Sequence, residues 1–94
     1  MDQLRVRDLH FAVAEDFVPY VGLIREELVS QFGISPAEAL GRINRHWAGQ
    51  SFVHQPEIDA TTHETPEDWA RFIYYEQDVR WWIAGEDLRI RPYP

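Results

Sequence analysis

From Asp16 to Phe32 the apolar residues Phe17, Tyr20, Val21, Ile24, Leu28 and Phe32 recur at three- and four-residue intervals, with Arg25, Glu26 and Glu27 turned away. That period buries one stripe of an α-helix. Pro19 lacks the backbone N–H that a helix interior needs but a first turn does not, so the helix should begin near Asp16 or Phe17. Gly33 stops it by adopting the left-handed conformation. Ser35-Pro36-Ala37-Glu38 then supplies a cap, a first-turn proline and an answering carboxylate, and Leu40, Ile43 and Trp47 continue as a buried stripe. Gly49 ends this second helix.

The same device returns at Thr65-Pro66-Glu67-Asp68, and Trp69, Phe72 and Ile73 then share one face of a third helix. Carried forward at the helical angle, Glu76 arrives in the centre of that face, where an unpaired carboxylate costs several kcal/mol. The spacing therefore predicts a break near Tyr75 and a new segment from Asp78, in preference to a Glu76 buried against Arg80. Val79 to Ile83 suits a short helix or a strand equally, and Gly85 closes it.

Period two marks the chain ends. Leu4 and Val6 alternate with Arg5 and Arg7, and Leu88 and Ile90 alternate with Arg89 and Arg91 up to Pro92. The echo of LRVR in LRIR suggests a two-stranded ribbon pairing the termini. Residues 49 to 64 carry no clear period and read as a long loop, interrupted by Pro56 and pinned to the core by Phe52, Val53 and Ile58. The expected fold is mainly α: a single domain over residues 1–94, a small bundle of three principal helices with a short C-terminal segment and the terminal ribbon.

Thirteen aromatic residues, four Trp, four Tyr and five Phe, give a chain of this size enough apolar area for one core, each removing about 150 to 250 Å² from water. There is no cysteine, so thiolate metal sites, disulfides and cysteine nucleophiles are excluded. No apolar run approaches the roughly 18 residues of a membrane span, and MDQLRVRDLH offers no apolar leader, so the expectation is a cytoplasmic protein without a membrane partner. A net charge of −7 disfavours nucleic acid as a partner. All nine basic residues are Arg, and none lies between Arg45 and Arg71, where Glu57, Asp59, Glu64, Glu67 and Asp68 sit.

Candidate chemistry is sparse. His54, Glu57, Asp59, His63 and Glu64 place two imidazoles and three carboxylates close in sequence, and His54, His63 and Asp59 form a candidate metal set or a hydrolase's acid and base. The competing expectation is that His63 and Glu64 serve the next helix while Glu57 and Asp59 are solvated. Serines lack a glycine-flanked elbow, and the scattered glycines make no phosphate loop, so no cofactor is expected. Reading the first two helices as a helix-turn-helix would aim Arg42, Asn44, Arg45 and His46 at a DNA groove. Against it, Arg42 and Arg45 can pair with Glu38 or the acidic stretch.

Tyr74, Tyr75, Trp81 and Trp82 are the candidate interaction residues. Adjacent aromatics point in different directions, so one of each pair should reach the surface, where Trp and Tyr commonly anchor a partner. The order Phe32-Gly33-Ile34-Ser35, Ile43-Asn44-Arg45, His63-Glu64, Trp69-Ala70 and Ile73-Tyr74-Tyr75 resembles a pattern of small bacterial proteins with no assigned function. It spans residues 30 to 76 and implies no activity. The reading is a non-enzymatic interaction module, of the immunity, antitoxin, phage accessory or regulatory kind, meeting a protein partner or a second copy of itself. The alternatives are a metal-binding protein or hydrolase using His54 and His63, and a helix-turn-helix DNA binder.

Overall fold

The computed structural model describes residues 3–94; Met1 and Asp2, which enter the leader argument, lie outside the described residues. Four α-helices run in order: α1 (Val18–Phe32), α2 (Pro36–His46), α3 (Gln55–Thr62) and α4 (Pro66–Tyr74). Helix α1 packs against both α2 and α4. It starts after a 3-10 turn at Glu15–Phe17 with Pro19 in its first turn, and ends at Gly33 with φ of 65°. Val21, Ile24 and Leu28 are fully buried along it. Ser35 Oγ accepts from the Glu38 N–H at 3.0 Å, and Thr65 Oγ1 accepts from the Asp68 N–H at 3.1 Å. Both helices therefore begin where the capping residues place them, each cap contributing about 1 kcal/mol.

The core joins all of these elements. Trp47, just past α2, contacts Phe11, Phe17, Phe52 and Trp69 at ring-centroid distances of 4.7 to 6.2 Å. Trp69 is half-buried with its indole N–H bonded to the Thr61 carbonyl at 2.8 Å. Ala70 and Ile73 bring α4 into the same cluster. The Tyr20 hydroxyl donates to the Glu64 carbonyl, tying α1 to the turn before α4.

The long loop expected over residues 49 to 64 is half helix. Pro56 sits in the first turn of α3 and starts it instead of interrupting it. The Glu57 carboxylate accepts from the His54 and Val53 N–H groups at 3.1 and 3.2 Å, satisfying donors that a helix start leaves open. Those bonds, the His54 N–H first among them, hold its pKa below the ordinary value despite opposing desolvation.

The terminal ribbon does not form. Val6–Asp8 is a 3-10 turn, because the Arg5 N–H is captured by the Asp8 carboxylate at 2.9 Å and the backbone closes from Leu9 N–H to the Val6 carbonyl. The sheet that exists pairs β1 (Ala12–Val13) with β2 (Ser51–Phe52) in parallel, Ala12 opposite Ser51 and Val13 opposite Phe52. The C-terminal LRIR runs instead beside the end of α4, where Ile90 bridges Tyr75 in antiparallel fashion. Helix α4 ends at Tyr74 as the Glu76 argument requires, and the Glu76 carboxylate stays 44% exposed, 3.8 Å from Arg89. Residues 79–83 are neither helix nor strand, with a turn at 81–82. Among the described residues no helix is long and apolar enough to cross a membrane.

Candidate functional site

The residues that read as a metal set are held apart. His54 precedes α3 and His63 follows it, nine positions on, which is about 13 Å along a helix axis, whereas ligands of one zinc lie about 2 Å from it. Asp59, on the exposed side of the same helix, accepts from Gln55 Nε2 at 2.7 Å. Among the described residues no group of three or more His, Asp or Glu side chains is arranged to hold a metal ion.

Two of the four side chains proposed to face DNA point inward. Asn44, 8% exposed, accepts from the His10 N–H at 2.8 Å and donates to the Asp8 carbonyl at 3.1 Å, pinning the N-terminal segment to α2. Arg42, 7% exposed, pairs with Glu38 at 2.8 Å and donates to the Arg91 carbonyl at 2.9 Å. Neither is free to reach a base edge.

The aromatic candidates lie together around the end of α4. Tyr74 stacks on Phe32 at 3.8 Å, and Tyr75 meets the same ring edge-on at 5.5 Å. Trp81 turns in against Phe72 at 5.6 Å and under the Arg71 guanidinium, while Trp82 is 62% exposed. One member of the Trp pair thus faces outward, whereas Tyr74 and Tyr75 are both half-buried and neither stands clear of the surface.

Beside them α2, α4 and the C-terminal segment enclose a groove of about 820 Å³. Its walls carry the side chains of Arg45 and His46 from α2, Trp69 and Phe72 from α4, and Trp81, Trp82, Arg91 and Tyr93 from the C-terminal segment. Tyr93 closes one end. Its ring lies between the guanidinium carbons of Arg42, 5.3 Å away, and Arg45, 5.1 Å away, and its hydroxyl packs on Gly41 so closely that a Cβ there would overlap it. Gly41 is a mid-helix glycine in α2, tolerated because the groove's end wall needs that space.

The charge in this groove runs against that of the whole chain. Four guanidinium groups and two carboxylates, Glu64 and Glu76, line it. Arg42 is matched by Glu38, Arg71 by Glu67 and Asp68, and Glu76 by Arg89. Among the described residues Arg45 and Arg91 form no ion pair. Arg45 donates to the Pro92 carbonyl at 3.1 Å and Arg91 to the Phe72 carbonyl at 3.4 Å. Two donors at the same site, Arg91 Nε and Trp81 Nε1, are buried without an acceptor. A buried donor left unpaired costs about 1–3 kcal/mol, so this wall is not fully satisfied by the protein's own groups.

His46 stands in this wall with its pKa lowered to about 4, first by burial and then by the charge of Arg91. The imidazole is neutral at pH 7. Because its folded pKa lies below the unfolded value, the unfolded chain takes up a proton first as pH falls, and stability declines from about pH 6.5 to about 4. Urea midpoints measured across that window should fall with pH, and His46→Gln should flatten the slope between pH 6.5 and 5. The lowered carboxylates Glu57, Asp78 and Glu86 act in the same direction but only at more acid pH.

Sequence reasoning missed Arg91, Tyr93 and Gly41. Nothing local marks them, since their partners lie on an element some fifty positions away, as the Arg42 to Arg91 bond with its separation of 49 illustrates. A comparison with family models, curated proteins and solved structures finds no match to the chain. What fold and site define is a small, mainly helical domain with a basic, aromatic-lined groove.

Proposed function

We propose that the protein is a non-enzymatic interaction module that binds another protein over the groove between α2, α4 and the C-terminal segment. The observation that carries this reading is Trp82, a large indole left 62% exposed at the edge of a groove lined by further aromatic side chains. Exposed Trp and Arg beside a concave, partly apolar surface are the composition of interface hot spots. Immunity proteins, antitoxins, phage accessory factors and small regulators are the cytoplasmic bacterial classes that act in this way without chemistry of their own. The resemblance over residues 30 to 76 belongs with this reading, since the residues that carry it are capping and core positions and imply no activity.

The test pairs capture with stability. Trp82→Ala should leave thermal stability within about 0.5 kcal/mol of the parent, as surface substitutions do, while removing the partner from a pull-down out of the native cells. Retention of the partner by Trp82→Ala would contradict the proposal. A mass twice the chain's 11.1 kDa that reverts to monomer in the variant would identify the partner as a second copy.

A further inference from the structure

We propose that the groove takes an acidic peptide stretch, with carboxylates on Arg45 and Arg91 and intervening apolar side chains against Phe72, Trp81 and Trp82. The inference rests on the interaction reading above and names the partner's chemistry. Its first support is charge: of the four arginines lining the groove, Arg42 and Arg71 are paired with carboxylates while Arg45 and Arg91 are not, although the chain as a whole carries a net −7. A guanidinium presents a planar fork that carboxylates fill bidentately. Each of the two spends a donor on a backbone carbonyl, which leaves the rest of its fork open. The second support is independent of charge. Arg91 Nε and Trp81 Nε1 are buried behind the groove's surface with no acceptor, so a carboxylate that bonds them does so with a small turn of these two side chains and supplies the acceptors this wall lacks.

The shape favours a peptide over a bare anion. About 820 Å³ is far more than one phosphate or carboxylate occupies, and the groove opens outward past Arg45 and Arg91 onto a shallower extension bordered by Gln77, Asp78 and Pro92. The last turn of helix α2 brings Arg45 and His46 to this site, and the partial negative charge of such an end offers no help to an anion of any kind. Discrimination therefore falls to the side-chain guanidinium groups. Glu64 is the one unpaired carboxylate in the wall and sets a limit on how many acidic residues the peptide can seat. Neutral His46 adds no charge at pH 7, so attraction should depend on the two arginines and weaken with salt.

The experiment is a titration of the ¹⁵N-labelled full chain with a short blocked peptide of alternating Glu and Leu, beside its Gln and Leu counterpart and inorganic phosphate. Saturable shifts are expected at the Arg45 and Arg91 Nε–H and the Trp81 and Trp82 indole N–H signals with the Glu peptide alone. The Trp47 indole, buried in the core and outside the groove's lining, serves as the unmoved reference. Arg45→Ser should weaken binding about tenfold, with the other spectral changes confined to Pro92 and Tyr93, the groups its guanidinium touches. No shift with the Glu peptide, equal binding of the Gln peptide, or saturation of the same signals by phosphate would each overturn the proposal. So would the same shifts appearing when the protein's own concentration is raised, which would assign the groove to a second copy. If Trp82→Ala loses its captured partner while Arg45→Ser keeps it and the Glu peptide fails, the interaction reading survives and the acidic ligand does not.

Discussion

Trp47→Ala should be the most destabilising single substitution in the chain, costing about 3–5 kcal/mol. Trp47 is 4% exposed and touches four aromatic rings that come from four separate places: Phe11 in the N-terminal segment, Phe17 before α1, Phe52 in β2 and Trp69 in α4. Deleting the indole leaves a void that no one of these rings can fill without abandoning another. A domain of 94 residues has about 5–14 kcal/mol of stability in all, so the loss takes a large share of it. Urea unfolding should show a much lower midpoint with an unchanged slope. A midpoint within the error of the parent would mean that these elements do not converge on Trp47.

Arg42→Ala should cost about 2–3 kcal/mol and release the C-terminal segment. Its guanidinium is the one charged group buried in the core side of α2, held by Glu38 at 2.8 Å and the Arg91 carbonyl at 2.9 Å, with its guanidinium carbon 4.8 Å from the Tyr74 ring. Removal deprives the Arg91 carbonyl of its donor and Tyr93 of one of its two cationic neighbours. Glu38→Gln should cost less, about 1 kcal/mol, because its side chain is 30% exposed and an amide can still accept the bond. Amide exchange separates the two variants: Arg91, whose N–H is bonded to the Tyr74 carbonyl at 2.9 Å, should lose protection in Arg42→Ala and keep it in Glu38→Gln.

Helices α1, α2 and α4 were legible because everything that defines them is local: a first-turn proline and an apolar stripe within one stretch of chain, with a capping side chain before α2 and α4. The break at Tyr75 was legible for the same reason, since Glu76 conflicts with its own helix. Helix α3 was not. Its start uses the Glu57 carboxylate and a His at the cap position in place of Ser, Thr, Asp or Asn, and only Thr61 is buried along it, so no stripe shows. Pro56 there does what Pro36 and Pro66 do, but without a cap before it the residue reads as a breaker. The echo of LRVR and LRIR misled because period two states only that a segment is extended with two faces; it does not name the partner strand. The strands that do pair are two residues each, too short for any period to register. The groove was the least legible feature, because Arg91 and Tyr93 gain their meaning from Arg42, Arg45 and Gly41 on a distant helix.

The groove depends on the C-terminal segment lying against α2, for that contact shapes it and gives Arg45 and Arg91 their common site. The most direct measurement is a nuclear Overhauser spectrum of the full chain, read at the Gly41 α-protons. Cross-peaks from them to the Tyr93 ring, with the α-protons moved upfield by the ring current, are predicted, and both should vanish in Gly41→Ala. Gly41 α-protons at ordinary shifts with no contact to Tyr93 would leave the groove without its end wall and contradict the account.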